Sequence, residues 1–305
     1  MILITGASGQ LGKAVRDEAL KRGLHYVGLN REMLDITNPS AIRAFFTEYS
    51  SPFDCIINCA AYTQVDQAET HATEAYAANA FAPWLLAKTG IPIIHVSTDY
   101  VFDGYSTTPY EVDASASPRS VYGLTKRAGE TALLESGTHG VIVRTAWVYS
   151  SRPETKNFFH TILRLGFERE TLRIVNDQKG SPTLAEDLAS ALLDLYEKGA
   201  HRKPMHLLHF CNSGECSWYD FASEILKDTE AQAILNPIPT SAYPTPAVRP
   251  EYSVLDLSAI EQLYDIHPRN WRKALLEAKS RTYAEAPLNF LPDDFDKSNN
   301  INKSE

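Results

Sequence analysis

The sequence lacks any apolar run long enough to cross a membrane, and it has only four cysteines and no excess of basic residues. A membrane-spanning helix needs about 20 mainly apolar residues, so we expect no membrane partner. Four scattered cysteines are typical of free thiols rather than of a disulfide framework, which favours a cytoplasmic location. The formal net charge of −9 argues against a nucleic-acid partner. No basic segment precedes the first apolar strand, so a signal peptide is not expected.

Short apolar, β-rich runs alternate with helical segments through the first half of the chain. This alternation is typical of a parallel sheet covered by helices on both faces. With 305 residues, of which 44% are hydrophobic, the chain can form one large domain or one and a half. We therefore predict an α/β fold with a Rossmann-type doubly wound parallel sheet over residues 1–150 and returning segments near 183–212. A smaller C-terminal substrate-binding domain would take residues 151–182 and 213–285, and a polar tail residues 286–305.

A glycine-rich turn follows the first strand. Gly6, Gly9 and Gly12 have the spacing G-x-x-G-x-x-G between that strand and a helix predicted at 10–22. This spacing permits a tight turn and a close approach of the backbone, and it places a pyrophosphate at the N-terminus of a helix. Because the motif lies between a strand and a helix, it predicts a dinucleotide site.

The residues after the second strand indicate which dinucleotide binds. That strand, at 25–29, ends in Asn30 and Arg31. NAD-binding folds carry an acid here for the adenosine ribose, whereas a nearby arginine accommodates a 2′-phosphate. We therefore expect NADPH, with NADH as the alternative if Arg31 is only a solvated loop residue. Asp35 and Ile36 follow and could lie beside the adenine.

Thr98, Tyr122 and Lys126 form the candidate catalytic group. Thr98 lies at the end of an apolar strand at 91–96, where open α/β sheets bind their ligands. Tyr122 and Lys126 are four residues apart on a helix predicted at 119–135, so their side chains share one face. A nearby cation should lower the pKa of the phenol, so that Tyr122 can protonate a carbonyl oxygen as hydride reaches its carbon. The alternative is a chance Y-x-x-x-K pattern, but the preceding nucleotide site favours catalysis.

Three further features have a structural and a functional interpretation. Asn79 lies in an alanine-rich helix predicted at 66–88, where a structural role is favoured. Trp147 follows a strand at 141–145 and could either stack against a sugar or belong to the core. The segment 237–250 is rich in proline and is predicted to be a loop that could cover a substrate.

The glycine turn, the strand-end S-T-D and Y-x-x-x-K, in this order, resemble the extended short-chain dehydrogenase/reductases. Further motifs resemble one branch of them, the dTDP-4-dehydrorhamnose reductases. They are N-C-A-A-Y-T-Q-V-D-Q-A-E (58–69), V-S-T-D-Y-V-F-D-G (96–104), V-Y-G-L-T-K-R-A-G-E (121–130), R-T-A-W-V-Y (144–149), V-N-D-Q-K-G-S-P-T (175–183) and Y-P-T-P-A-V-R-P (243–250). The match extends from Met1 to about Arg281, and the last two motifs are the more discriminating ones.

The resemblance implies NADPH-dependent reduction of the 4-keto group of dTDP-4-dehydro-L-rhamnose to dTDP-L-rhamnose. Tyr122 would be the general acid, Lys126 would bind the nicotinamide ribose, and Thr98 would hold the sugar. With Asn30 and Arg31 added from their position, the cofactor-binding residues are Gly6, Gly9, Gln10, Leu11, Gly12, Asn30, Arg31, Asp35, Ile36, Ala60, Ala61, Tyr62, Tyr122 and Lys126. The residues implied for the nucleotide-sugar substrate are Val65, Thr98, Asp99, Tyr100, Trp147 and Arg249, the last as a candidate for its phosphates.

The chain departs from the family in one respect. Some members are described as pairing through carboxylates around a metal, one of them early in the first helix. Here that region reads Lys13-Ala14-Val15-Arg16, and the corresponding late helix offers Arg281. The histidines within 201–209 also lack acids in a ligand-like arrangement. We therefore predict no metal, and a protein that is a monomer or a homodimer.

Two other functions stay open. The chain could be a reductase or epimerase of another nucleotide-activated deoxysugar, because the pocket residues and not the catalytic group decide the sugar. It also resembles the regulatory β subunit of methionine adenosyltransferase, which binds a nucleotide without catalysis. The complete catalytic group argues against a purely regulatory role. Consumption of NADPH with a 4-keto sugar nucleotide would separate an enzyme from a regulatory subunit.

Overall fold

A parallel sheet of six strands forms the centre of the protein. The computed structural model describes residues 1–49 and 52–285, so the polar tail predicted at 286–305 lies outside the described residues. In chain order, the strands are β1 (Ile2–Thr5), β2 (Tyr26–Leu29), β3 (Cys55–Asn58), β4 (Ile93–Thr98), β5 (Gly140–Thr145), β6 (Val148–Tyr149), β7 (Thr171–Val175), β8 (Lys179–Gly180), β9 (Thr183–Leu184), β10 (His206–His209), β11 (Cys216–Ser217) and β12 (Ile234–Ile238).

Helices cover both faces of the sheet and build the C-terminal part of the chain. They are α1 (Gln10–Lys21), α2 (Pro39–Glu48), α3 (Val65–Ala68), α4 (Ala72–Tyr76), α5 (Ala82–Ala87), α6 (Val121–Leu134), α7 (Phe158–Glu168), α8 (Ala185–Glu197), α9 (Trp218–Leu226), α10 (Ser258–Tyr264) and α11 (Trp271–Glu285). A π-helical turn at Ala77–Phe81 joins α4 to α5. Short 3-10 turns lie at Asp99–Val101, Ala200–Arg202 and Thr240–Ala242. In the part of the chain that the structure describes, no helix is long and apolar enough to span a membrane.

The sheet has the strand order β10-β5-β4-β3-β1-β2, and all its neighbouring strands are parallel. Residues of α1 and α8 pack in the core on one face, and residues of α2, α5 and α6 pack in the core on the other. β1, β3 and β5 are buried along their whole length, as strands covered on both faces should be. This architecture confirms the predicted Rossmann-type doubly wound fold.

The prediction of one uninterrupted helix at 66–88 is wrong. α3 and α4 are separate, and the π-helical turn at Ala77–Phe81 widens the helix before α5. Pro83, in the first turn of α5, has no N–H with which to bond the carbonyl of Asn79. That carbonyl instead meets α6, where a Cβ on Gly129 would lie only 2.1 Å from it. The wide turn and the glycine together allow α6 to approach closely.

The C-terminal part has its own core, formed by side chains of α7, α9, α11 and β7. β12 pairs in parallel with β7 and contains Pro237, so the loop predicted from residue 237 begins only after Ile238. Proline is tolerated because each strand of a two-stranded sheet is an edge strand, with one side free of ladder hydrogen bonds.

A buried ion pair holds α6 against the sheet. Arg144 on β5 donates through Nε and Nη2 to the two carboxylate oxygens of Glu130 on α6, both at 2.8 Å. Ser97 donates to the same carboxylate at 2.6 Å, and Arg127 at 3.0 Å. The side chains of Glu130 and Arg144 are 0% and 2% exposed, so water cannot replace either partner. The pair therefore determines how α6 is positioned over β4 and β5.

We expect Glu130→Gln to lower the free energy of unfolding by about 3–5 kcal/mol, because it leaves the buried Arg144 guanidinium without its countercharge. Urea unfolding followed by circular dichroism measures this change. Glu135→Gln is the matched control, since Glu135 is an exposed carboxylate at the end of the same helix. Equal stabilities of the two variants would show that the ion pair is not required.

Candidate active site

The glycine turn between β1 and α1 leaves no room for side chains. Gly6 has φ +66°, and a Cβ there would lie 2.6 Å from the amide nitrogen of Ala60. A Cβ on Gly12 would lie 2.1 Å from the carbonyl oxygen of Gly6. α1 begins directly after Gly9 with no side chain capping its first amides. These N–H groups and the positive end of the helix fit a pyrophosphate, as the sequence predicts.

Gln10 and Leu11 open α1 in different environments. The Nε2 of Gln10 donates to the carbonyl of Val148 at 3.0 Å, which ties the turn to the chain after β5. The Oε1 of Gln10 is buried and has no partner among the described residues. Leu11 packs in the core below the sheet, so only its backbone can meet a cofactor.

The residues expected at the adenosine end follow β2. The side chain of Asn30 accepts a backbone hydrogen bond within the next turn. Hydrogen bonds from Thr37, and more weakly the Arg31 cation, hold the pKa of Asp35 below its usual range. Arg31 is exposed, while Ile36 is buried. Arg31 can therefore reach a ligand without breaking a buried contact.

A second arginine, which was not among the predicted site residues, lies at this end. The Cδ of Arg16, on α1, would be 3.1 Å from a Cβ on Gly28 of β2. Its Nη1 lies 3.4 Å from the carbonyl of Ala7, and its Nε has no hydrogen-bond partner among the described residues. Arg16 is four residues after Gly12 and thus on the helix face that meets the turn, which is the signal that could have identified it.

Two buried asparagines hold the loop after β3, which carries Ala60, Ala61 and Tyr62. Asn58 Oδ1 accepts the amide of Ala60 at 3.2 Å. Asn79 Oδ1 accepts the amide of Tyr62 at 2.8 Å, and its Nδ2 donates back to the carbonyl of Tyr62 at 3.1 Å. Asn79 therefore has the structural role expected of it, and it keeps this loop beside the glycine turn.

Thr98 and Tyr122 meet at the carboxyl end of β4. Thr98 is buried, and its hydroxyl donates to Asp99 Oδ1 at 2.9 Å. The ring of Tyr122 packs edge-to-face on Tyr100, with 5.5 Å between the centroids. The Thr98 hydroxyl is close enough to lower the pKa of Tyr122 in part. The structure thus brings together side chains that are far apart in the sequence.

Lys126 extends from α6 into the sheet. It is 2% exposed, and its Nζ donates to the carbonyl of Val96 at 2.7 Å. The same Nζ lies 3.3 Å from Nε2 of His95. His95 was not expected in the site, although its place in β4, before the S-T-D motif, could have indicated it.

The expectation that Lys126 lowers the pKa of Tyr122 is wrong for this arrangement. Burial raises the pKa of Tyr122 above its ordinary value, and the negative charge of Asp99 and the neighbouring Tyr100 raise it further against the effect of Thr98. Burial also lowers the pKa of Lys126 to about 8. The physical reason is that desolvation disfavours both charged forms, phenolate and ammonium.

Tyr100 and Arg249, both expected to bind the substrate, are hydrogen-bonded to each other, and Arg249 is also held by Asp66, which was not among the predicted site residues. Arg249 Nη2 pairs with Asp66 Oδ2 at 2.6 Å, and its Nη1 donates to the hydroxyl of Tyr100 at 3.1 Å. Asp66 also accepts the amide of Ala247 at 3.2 Å, and Val65 directly precedes it in α3. The proline-rich loop is therefore anchored over the end of β4.

Trp147 lies between the two parts of the chain. Its backbone has φ +48°, a left-handed conformation that is uncommon for a non-glycine residue. The indole stacks on Trp218 of α9 with 3.5 Å between centroids and an angle of 7°. Trp218 donates in turn to Gln178 at 3.2 Å. One face of Trp147 is thus covered by protein, and a sugar could use only its remaining surface.

Within residues 1–49 and 52–285, no cluster of three or more histidine, cysteine or acidic side chains could hold a metal. Lys13 of α1 pairs with Glu154 at 3.0 Å, and Arg281 of α11 pairs with Glu277. The absence of a metal stays a prediction.

Comparison with known proteins gives consistent matches. A family model described as the RmlD substrate binding domain matches residues 1–283. A dTDP-4-dehydrorhamnose reductase of Aggregatibacter actinomycetemcomitans is 39% identical over 297 residues, covering 93% of this chain and 99% of that protein. A probable dTDP-4,6-dihydroxy-2-methyloxan-3-one 4-ketoreductase of Streptomyces antibioticus is 38% identical, covering 90% of this chain and 93% of that protein. The crystal structure of a Bacillus anthracis dTDP-4-dehydrorhamnose reductase in complex with NADP has a TM-score of 0.84 and 34% identity, covering 93% of this chain and 99% of that one.

We expect Asp99→Asn to stabilise the protein at neutral pH but not in acid. Burial raises the pKa of Asp99, which is 2% exposed, to about 6, against lowering by Ser253 and Thr98. The unfolded value is about 3.9, so stability is lost as pH rises through the folded pKa and the carboxylate must ionise in the interior. The gain should be on the order of 1–2 kcal/mol at about pH 7.5 and near zero at about pH 4.

Urea unfolding at the two pH values measures this difference. Asp113→Asn is the control, because Asp113 is exposed and should show no pH-dependent gain. A gain for Asp99→Asn that is the same at both pH values would contradict the buried, ionising carboxyl.

Proposed function

This chain belongs to the RmlD substrate binding domain family, which includes dTDP-4-dehydrorhamnose reductases, and on that basis we propose how its residues reduce a sugar ketone. The reaction is the NADPH-dependent reduction of the 4-keto group of dTDP-4-dehydro-L-rhamnose to dTDP-L-rhamnose. The assignment of residues is supported by the Thr98 hydroxyl beside the Tyr122 phenol at the end of β4, and by Lys126 one turn after Tyr122 on α6.

The cofactor lies along the carboxyl edge of the sheet. Gly6, Gly9 and Gly12 give its pyrophosphate the amides of α1, with Gln10 and Leu11 in the same turn. Arg31, beside Asn30, binds the 2′-phosphate, since a guanidinium makes strong charge-assisted hydrogen bonds to phosphate. Bound NADPH supplies the hydride. The remaining cofactor contacts are assigned to Asp35, Ile36, Ala60, Ala61 and Tyr62.

Thr98 and Tyr122 act on the keto oxygen. Thr98 turns its hydroxyl proton from Asp99 to the keto oxygen and so orients the carbonyl, and Tyr122 gives its phenolic proton to that oxygen as the alcohol forms. The raised pKa of Tyr122 keeps the phenol protonated and ready to donate at neutral pH. Lys126 holds the nicotinamide ribose beside the phenol. Each of these groups is fixed by α6 or β4, so little reorganisation is needed.

The sugar nucleotide lies between the sheet edge and the proline-rich loop. Val65, Asp99, Tyr100 and Trp147 line the sugar, and Arg249 binds the phosphates. Its ion pair with Asp66 orients the guanidinium without burying it fully, since the two side chains are 27% and 37% exposed. A phosphate can therefore compete with or join the Asp66 carboxylate at Arg249.

The division of the chain is part of the same proposal. Residues 1–150 with 183–212 bind the cofactor, and residues 151–182 with 213–285 bind the substrate. The four cysteines are free thiols, which fits a reducing compartment and so the cytoplasm. The protein acts as a monomer or a homodimer.

A second candidate is the reduction of another dTDP-linked 4-keto deoxysugar. The identity to the ketoreductase of Streptomyces antibioticus, 38%, nearly equals that to the dTDP-4-dehydrorhamnose reductase, 39%. The two functions use the same proton donor and differ in the sugar that fits the pocket. Rates with the two keto sugars, and the configuration of the alcohol by NMR, distinguish them.

We expect Tyr122→Phe to lower kcat by roughly two to four orders of magnitude, because it removes the proton donor. NADPH oxidation with dTDP-4-dehydro-L-rhamnose measures kcat, and fluorescence titration should show NADPH still bound. Tyr105→Phe, at an exposed tyrosine outside the site, is the control with an unchanged rate. A Tyr122→Phe enzyme with the rate of the original protein would exclude Tyr122 as the donor. Cofactor binding without turnover by the original protein would favour the regulatory alternative.

We expect Arg31→Ala to weaken NADPH binding by roughly five- to tenfold and to leave NADH binding nearly unchanged, because only NADPH carries the 2′-phosphate. Calorimetric titration with each dinucleotide measures both affinities. Arg43→Ala is the control, since Arg43 is an exposed arginine on α2. Equal losses of affinity for NADPH and NADH would exclude Arg31 as the ligand of the 2′-phosphate and would favour Arg16 instead.

A further inference from the structure

A chain of buried polar contacts runs from β1 to the catalytic lysine. Thr5 Oγ1 donates to Asn58 Oδ1 at 2.7 Å, and Asn58 Nδ2 lies 2.9 Å from His95 Nδ1. His95 Nε2 in turn lies 3.3 Å from Lys126 Nζ. Asn58 and His95 are 0% exposed and Lys126 is 2% exposed. Buried polar groups of this kind need partners within the protein, so the direction of each hydrogen bond is constrained by its neighbours.

The amide of Ala60 sets the direction of this chain. It donates to Asn58 Oδ1 at 3.2 Å, and a backbone N–H can only donate, so this side of the Asn58 amide is its oxygen. The NH2 group of Asn58 therefore donates to His95 Nδ1, which must carry no proton. A ring whose Nδ1 accepts cannot be an imidazolium, and burial likewise holds the pKa of His95 well below its usual range, so the ring is neutral. A neutral imidazole carries one proton, and here it is on Nε2.

The Nε2–H of His95 is then directed at Lys126 Nζ. An ammonium has only donors, whereas an amine keeps one lone pair that accepts a hydrogen bond. The amine satisfies both of its contacts, because it donates to the carbonyl of Val96 at 2.7 Å and accepts from His95. We propose that His95, oriented by Asn58, is a positioning residue that favours the uncharged amine of Lys126 until the nicotinamide ribose binds.

The charged groups on α6 and β5 do not oppose this preference strongly. Glu130 is one turn beyond Lys126 on α6 and favours the ammonium. Its carboxylate is already bonded by Arg144 at 2.8 Å and by Arg127 at 3.0 Å. Tyr122, one turn before Lys126, is kept neutral by burial. The helix and β5 thus present little net charge to the amine.

Among the described groups from the rest of the sheet, only His95 and the carbonyl of Val96 lie within hydrogen-bond distance of Nζ. β3 contributes Asn58 and is followed by Cys59, whose thiol pKa burial raises to about 12. After β4, Asp99 shares a hydrogen bond with Thr98, and the pKa of Tyr100 is raised by burial to about 12. Consistent with the contacts, burial lowers the pKa of Lys126 to about 8.

The inference rests on the proposed cofactor. It predicts that the protein takes up protons when the cofactor binds, and this uptake can be measured. Two ribose hydroxyl groups and the carbonyl of Val96 are three acceptors, which the three N–H groups of an ammonium satisfy and the two of an amine do not. Lys126 would therefore take a proton from solvent as the ribose binds. A group with a pKa of about 8 is about three-quarters deprotonated at about pH 8.5. NADPH binding at that pH should therefore be accompanied by uptake of up to about three-quarters of a proton.

Calorimetric titration of the protein with NADPH, in buffers of different ionisation enthalpy, measures the protons taken up. His95→Phe removes the Nε2–H, and Asn58→Asp accepts from Nδ1–H and turns the proton away from Lys126. Both should reduce the uptake clearly below that of the original protein, because without the Nε2–H directed at Nζ a larger share of Lys126 is already an ammonium before binding, although burial still acts on it. The carboxylate in Asn58→Asp also attracts the ammonium by its charge, whereas His95→Phe adds no charge. If both variants reduce the proton uptake, the effect is therefore due to loss of the Nε2–H.

The matched control is His201→Phe, at a buried histidine that stacks on Tyr196 away from the site, and it should leave the uptake unchanged. Uptake in His95→Phe equal to that of the original protein would overturn the proposal. A binding heat without any proton uptake in the original protein would overturn it as well. Absence of NADPH binding would instead contradict the proposed cofactor.

Nitrogen-15 NMR of the histidine rings tests the inference without cofactor, and so separates it from the proposed function. The ring signals that disappear in His95→Phe belong to His95. They should show a neutral ring with the proton on Nε2 at neutral and alkaline pH. A proton on Nδ1, or a charged ring, would overturn the proposal whatever the protein binds. A merely structural histidine would have no reason to alter proton uptake.

Discussion

The buried ion pair between Glu130 and Arg144 holds α6, which carries Tyr122 and Lys126, against the sheet. Tyr122, Lys126 and Glu130 follow each other at intervals of four along α6, so a bidentate contact at the third orients the first two. Burying two charges is unfavourable unless each is hydrogen-bonded, and here Ser97 and Arg127 donate further hydrogen bonds to the Glu130 carboxylate. Because the three side chains share one face of α6, the ion pair at Glu130 fixes the direction in which the phenol and the amine point.

The Arg144 guanidinium of this ion pair also contacts the loop that borders the site. Arg144 Nη1 donates to the carbonyl of Val112 at 3.1 Å, and its guanidinium lies 5.0 Å from the ring of Phe102. Phe102 stacks on Tyr110, whose hydroxyl bonds Asp103 at 2.6 Å. The segment after the S-T-D motif is therefore attached to the core through one buried charge.

Burial dominates the electrostatics of the site. It keeps Tyr122 protonated, brings the pKa of Lys126 down to about 8, and raises that of Asp99 to about 6. Desolvation acts on each group in the direction of its neutral form, whereas pairwise attraction between side chains acts towards the charged form. At neutral pH this leaves Tyr122 uncharged, while Lys126 and Asp99 titrate close to that pH, so a ligand that provides partners can change their charge.

Several features could be predicted from the sequence because they depend on residues close together in the chain. The G-x-x-G-x-x-G spacing at Gly6 sets a local backbone turn, and the four-residue spacing of Tyr122 and Lys126 sets a common helix face. The alternation of strands and helices similarly predicts the parallel sheet. The helix predicted at 66–88 is interrupted in part by Pro83, which is visible in the sequence, and in part by the close approach of Gly129 to Asn79, which involves a second helix and is not.

What the sequence by itself determined is therefore the fold and the glycine turn, and the four-residue spacing of Tyr122 and Lys126 predicts the candidate catalytic group. Only the tertiary structure decided the direction of the Tyr122 pKa, the anchoring of Arg249 by Asp66, 183 residues away, and the contacts of His95 with Asn58 and Lys126, 37 and 31 residues away. Desolvation and hydrogen-bond direction depend on every neighbour of a buried group. Those neighbours come from different strands and helices, so no spacing along the chain encodes them.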